Sequence, residues 1–94
     1  MQKKITLKKD EYVFKEGEVA SEFFLIVSGT FRVSKFENQI EHVKRGRLTM
    51  GDIFGELSLF DGRRREFNVI AEQDAELLVI PYEYILQHSA EVPQ

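Results

Sequence analysis

The stretch GDIFGELSLFDGRRR, residues 51–65, decides how this chain is read. Gly51 and Gly55 bracket Asp-Ile-Phe, and a glycine lets the backbone approach a ligand closely or turn through positive φ without steric cost. Glu56 to Phe60 has the length of one helical turn, whose first N–H groups lack internal acceptors and point outward, which favours an anion. Asp61-Gly62 ends that turn. Arg63, Arg64 and Arg65 follow before Phe67-Asn68-Val69-Ile70-Ala71 resumes an apolar, strand-like run. A guanidinium presents a planar fork of donors that suits phosphate oxygens, whereas a carboxylate only accepts and suits a hydroxyl. An anion-binding turn, a hydroxyl acceptor and a phosphate fork together describe a ribose phosphate.

Outside this stretch the chain reads mostly as strands. Ile5-Thr6-Leu7 and Tyr12-Val13-Phe14 flank the charged turn Lys8 to Glu11, and Glu16-Gly17-Glu18 marks another turn. Phe23 to Val27 is a continuous β-rich run punctuated by Ser28-Gly29. From Thr30 to Phe36, Phe31, Val33 and, less regularly, Phe36 alternate with Arg32, Ser34 and Lys35, the pattern of a strand with one buried face. Glu37-Asn38-Gln39 reads as a hairpin turn and Ile40 to Leu48 as the return strand, with a bulge or close approach at Gly46. Asn68 to Ala71 and Glu76 to Ile80 complete the strands. Pro81 suits a helix start, and Tyr82 to Ser89 predicts about two helical turns with Tyr84, Ile85 and His88 near one face. Short strands at regular spacing with glycine turns predict a sandwich or barrel.

Composition bounds the function. The 94 residues are expected to form one domain, 1–94, with a single core. With 43% apolar and 31% charged residues, the chain matches neither a disordered nor a membrane-embedded composition, and its longest apolar run, Phe23 to Val27, is far too short to cross a bilayer. Lys3 and Lys4 lead into Ile-Thr-Leu and then Lys-Lys-Asp-Glu, without the apolar run of a secretory leader, so secretion is not expected. The absence of cysteine removes disulfides and thiolate metal sites and accords with a reducing cytoplasm, the expected location. A net charge of −3 argues against direct nucleic-acid contact. His42 and His88 stand far apart with no partnering carboxylate motif, so surface or packing roles are expected for them, with no metal, no cofactor and no enzymatic activity.

FGELSLF followed by Arg65, nine positions after Glu56, resembles the phosphate-binding cassette of cyclic nucleotide-binding domains, the modules that sense cyclic AMP or cyclic GMP in bacterial transcription regulators, kinases and ion channels. Gly17 in FKEGE, Gly29 in FFLIVSGTFRV, Gly51-Asp52, and the closing strand AELLVIP before a short helix fall in the family's order and spacing. The resemblance runs from Ile5 to Pro93. It implies a mainly β fold, a double-stranded β-helix or jelly-roll β-barrel with a short cassette helix and a short C-terminal helix. It also implies a regulatory sensor whose ligand is cAMP or cGMP and whose effector, a further domain or partner protein, lies outside this chain; a homodimer is compatible with it. In the family the last helix runs on into a longer lid helix, so the chain is expected to be cut from a longer protein before that lid.

On this reading the ligand-binding residues are Phe54, Gly55, Glu56, Leu57, Ser58, Arg65, Glu66 and Phe67. Glu56 would accept the ribose 2′-hydroxyl, and Arg65 would clamp the phosphate while Arg63 and Arg64 stay exposed. Ser58 would offer its backbone N–H, and movement of Leu57, Leu59 or Phe60 against the following helix would carry the signal. The departure from the family comes after Arg65, where alanine or a small hydroxyl residue and then alanine are usual, and where this chain has Glu66-Phe67. A carboxylate about 4 Å from a phosphate repels it by ~1 kcal/mol when well solvated and by ~4 kcal/mol at an intermediate dielectric. Pairing of Glu66 with Arg63 or Arg64, or with a guanine edge, would remove that repulsion. Two other readings stand beside the sensor: a degenerate relative that keeps the fold for dimerisation or protein docking, and a cupin-like metal enzyme, which two isolated histidines disfavour.

Overall fold

β-Branched and aromatic residues dominate the alternating runs, and they form eight strands in the computed structural model, which describes residues 3–59 and 62–88. The strands are β1 (Lys3–Leu7), β2 (Tyr12–Phe14), β3 (Glu22–Ser28), β4 (Phe31–Glu37), β5 (Ile40–Leu48), β6 (Ile53–Phe54), β7 (Asn68–Ala71) and β8 (Ala75–Pro81). A 3₁₀ turn spans Leu57–Leu59, and a helix, α1, spans Tyr82–His88. Phe60, Asp61 and the residues after His88 lie outside the described part. The strands make two antiparallel four-stranded sheets, ordered β1-β8-β3-β6 and β2-β7-β4-β5. This is the two-sheet, mainly β architecture expected of a jelly roll.

Each sheet turns its apolar face to the other. Phe24, Ile26, Leu77 and Val79 from one sheet meet Phe31, Val69 and Ala71 from the other. Four phenylalanines organise one end of this core: Phe24 and Phe54 stack with ring centroids 5.1 Å apart, and Phe14 and Phe31 tilt against Phe54 at 6.0 and 5.8 Å. Offset and tilted ring pairs of this kind contribute beyond their buried area. A second, smaller cluster of Ala20, Phe23, Ile80 and Tyr82 seats α1 on the outer side of its sheet.

The connections follow from backbone chemistry. Asn38 and Gln39 both adopt positive φ, 52° and 67°, as a two-residue hairpin turn between β4 and β5 requires. The register of that hairpin shifts between Arg32 and Ser34, which are paired with Arg47 and Val43, so the bulge falls on the segment containing Gly46. Pro81 closes β8 opposite Glu22 instead of opening the helix, which begins at Tyr82, whose N–H donates to Ser21 O at 2.9 Å. Tyr82 and Ile85, three positions apart, form the packed side of α1. Tyr84 is exposed, so it does not share a face with Ile85 as the sequence suggested, and the side chain of His88 lies outside the described residues.

Gly29, between β3 and β4, combines two demands. Its φ is +89°, and a Cβ there would sit 2.4 Å from Ala75 Cβ and 2.9 Å from Ala75 Cα, where β8 begins. Gly17 has the same φ but open space around it. Gly29→Ala is therefore expected to lose about 2–4 kcal/mol of stability, from left-handed strain plus overpacking, and Gly17→Ala only about 1 kcal/mol. Urea midpoints of the two variants check this, and equal losses would show that the contact with Ala75 contributes nothing.

Candidate functional site

Three successive arginines become inequivalent because their backbone pairs with the turn after β2. Ala20 N–H donates to Arg63 O at 2.7 Å, Arg65 N–H to Glu18 O at 2.8 Å, and Gly17 N–H to Arg65 O at 2.7 Å, around an antiparallel bridge between Val19 and Arg64. Extended pairing sends successive side chains to opposite sides. Arg64 faces solvent, with Nη1 donating to Gly17 O at 3.1 Å, while Arg65 turns inward and is 4% exposed. Arg63 has positive φ and is exposed, its guanidinium 5.7 Å from the Tyr82 ring centroid.

The Arg65 guanidinium is held by neutral groups. Nη1 donates to Gly55 O at 2.9 Å and to the Tyr82 hydroxyl at 3.2 Å, and Nη2 donates to Glu22 O at 2.6 Å. Its Cζ lies 4.0 Å from the Phe14 ring centroid, within cation–π range. No described carboxylate forms an ion pair with it. Burial pulls its pKa below the ordinary arginine range, and the Tyr82 hydroxyl, Glu22 and Glu18 act in the opposite direction. An arginine so placed keeps its proton, so the site holds a buried positive charge without a paired anion among the described residues.

Gly55 makes room for that charge. Its φ is +87°, and a Cβ there would lie 2.9 Å from Arg65 Nη1 and 3.3 Å from the Phe24 ring. Its carbonyl accepts from both Arg65 and the Tyr82 hydroxyl. The sequence suggested Gly55 as a point of ligand approach; its missing side chain also serves the guanidinium directly. Next come half-buried Glu56 and the 3₁₀ turn, closed by Leu59 N–H to Glu56 O at 3.1 Å and by Arg63 N–H to Ser58 O at 2.8 Å. The Ser58 hydroxyl donates to Arg64 O at 3.3 Å.

These residues surround one cavity of about 280 Å³. Phe54, Gly55, Glu56, Leu57 and Ser58 line one side, Arg65, Glu66 and Phe67 another, and Phe14, Val33, Leu48, Ile53 and Val69 supply an apolar wall. All eight residues singled out in the sequence are brought together here. The combination of an apolar wall with few polar groups is typical of sites for small organic ligands. Phe67 neither fills the cavity nor leaves it: half-buried, it carries the Lys35 and Lys44 ammonium groups 5.2 and 5.9 Å from its ring centroid. Glu66 is exposed at the rim and forms no ion pair with Arg63 or Arg64 among the described residues.

Sequence reasoning missed Phe14, Glu22 and Tyr82, which hold Arg65, and the apolar wall from β4, β5 and β7. Phe14 and Tyr82 lie 51 and 17 positions from Arg65 and match strand and helix patterns. Nothing in their local sequence marks them as neighbours of a cation.

The family model described as "Cyclic nucleotide-binding domain" matches residues 4–91. The cAMP-dependent protein kinase regulatory subunit of Mycosarcoma maydis is 41% identical over 75 residues, covering 77% of this chain and 14% of that protein. Human cGMP-dependent protein kinase 2 is 35% identical over 79 residues, covering 80% of this chain and 10% of that protein. The chain thus spans a small part of both relatives. Among solved structures, the catabolite activator protein of Thermus thermophilus superposes with a TM-score of 0.82 at 25% identity, covering 95% of this chain and 42% of that one.

If Gly55 is constrained by Arg65, Gly55→Ala should destabilise the protein by about 2 kcal/mol, and less when Arg65 is alanine, because the clash with Nη1 is then gone. Thermal melts of the two single variants and the double variant provide the check. Strictly additive losses would mean that backbone strain alone accounts for the glycine.

Proposed function

Because this chain belongs to the cyclic nucleotide-binding domain family, we propose that it is the sensing segment of a larger regulatory protein and takes up cAMP or cGMP in the cavity beside Arg65. Residues 1–94 act as one sensing unit, and the effector that answers to it lies in other parts of the protein or in a partner. The observation that carries this reading is the convergence of Glu56, the 3₁₀ turn and the Arg65 guanidinium on one cavity with an apolar wall. Arg65, short of an anion among its described neighbours, answers to the cyclic phosphate, whose charge offsets the desolvation of the guanidinium. The N–H groups at the start of the 3₁₀ turn add donors to the same oxygens. Glu56 accepts the ribose 2′-hydroxyl, and the base lies along the wall formed by Val33, Leu48 and Phe67.

A second reading is favoured by one observation. Glu66 is exposed at the rim of the cavity with no arginine partner among the described residues, and both terminal nitrogens of Arg65 already donate within the protein. A fold that had given up its ligand for docking or dimerisation would tolerate both features.

Isothermal titration with cAMP and cGMP separates the two readings. Under the first, Arg65→Ala weakens binding by about 10- to 100-fold, as expected for charge-assisted hydrogen bonds, and Glu56→Gln by about tenfold. The Glu56→Gln variant, whose amide oxygen still accepts but without charge, should distinguish a nucleotide from its 2′-deoxy analogue less sharply. Glu66→Ala should bind up to about fivefold more tightly through relief of ~1 kcal/mol of repulsion. Absence of heat and of any melting shift with either nucleotide would leave the docking reading standing.

A further inference from the structure

The hydroxyl of Tyr82 stands between the charge site and the first residue of α1. Tyr82 is 1% exposed, and its N–H is fixed to Ser21 O at 2.9 Å. Its hydroxyl contacts two groups, the Gly55 carbonyl and Arg65 Nη1. A carbonyl only accepts and a guanidinium only donates, so the single hydroxyl proton points to Gly55, and its oxygen receives Nη1–H. The hydrogen bonds therefore run in one direction, from Arg65 through Tyr82 to Gly55, and a chain of this kind strengthens each member. Nη1 donates to Gly55 O and the Tyr82 hydroxyl, which lie side by side, Nη2 donates to Glu22 O, and Nε–H has no hydrogen bond to the described residues and is open to an anion.

We propose that Tyr82 is a positioning residue: its hydroxyl orients the Arg65 guanidinium toward the cavity and ties the Gly55 carbonyl to the start of α1. The link between ligand and following helix that the family resemblance implied then passes in part through this hydroxyl, because a ligand that shifts Arg65 changes the bond to the residue on which α1 begins. This rests on the nucleotide site proposed above.

The test uses the full-length protein, with cAMP and cGMP titrated into the wild type, Tyr82→Phe, Arg65→Lys and the double variant. Tyr82→Phe keeps the buried ring and is expected to weaken both nucleotides about tenfold, with little further loss once Arg65 is lysine. An unchanged affinity in Tyr82→Phe, or fully additive losses, overturns the proposal. Should Tyr82→Phe not fold, the wild type decides: nucleotide saturation is expected to alter amide-exchange protection across Tyr82–His88, and unaltered protection overturns the link. A wild type that takes up neither nucleotide overturns the functional reading instead. Positioning is then read from the Arg65 Nε–H resonance without ligand, whose solvent exchange is expected to be faster in Tyr82→Phe. An unchanged exchange rate refutes it.

Discussion

A guanidinium buried where β2, β3, β6 and α1 meet is the constraint on which the functional half of this structure depends. Removing a cation from water is costly unless its hydrogens find acceptors. Here two backbone carbonyls and a tyrosine hydroxyl accept from it, and the Phe14 ring covers a face. Each partner comes from a different element: Gly55 follows β6, Glu22 opens β3, Tyr82 opens α1 and Phe14 ends β2. The guanidinium is therefore a junction of the fold as well as a charge beside the cavity. The glycine at 55 follows from this, since the volume of its absent methyl is occupied by Nη1.

The cavity contrasts with that junction. Its wall is aliphatic and aromatic, and its polar groups gather at the end formed by Gly55 to Ser58 and Arg65. Glu66 and Phe67, which depart from the usual small residues after the cassette arginine, take separate routes. Glu66 is exposed at the rim, where water screens its charge. Phe67 stays half-buried with two lysine ammonium groups near its ring, which places further positive charge beside the cavity. The bulk introduced at 67 is thereby accommodated against β4 and β5 while the cavity persists.

Much of the fold was legible in the sequence, because alternation, glycine turns and the apolar run Phe23 to Val27 report burial through spacing alone. The hairpin turn after Glu37 and the bulge near Gly46 lay where turn and breaker residues placed them. The misses were local conflicts. Pro81 suits a helix start, yet pairing with Glu22 keeps it in the strand, and Tyr82 with Ile85, not Tyr84, takes the packed side of α1. Such choices depend on which neighbour arrives across the chain, and a short segment does not carry that information.

The cassette shows the same division. By itself the sequence determined the chemistry available between 51 and 67: glycines free to take positive φ, a carboxylate, a short turn, and three arginines of which the last stands nine positions after Glu56. That spacing already set Arg65 apart from the exposed Arg63 and Arg64, but only the tertiary structure decided how Arg65 is turned inward and that it donates to Gly55, Glu22 and Tyr82. The physical reason is that inwardness here is set by pairing with the distant Gly17–Ala20 stretch, and the partners of a buried cation are whichever acceptors the closing sheets deliver to it.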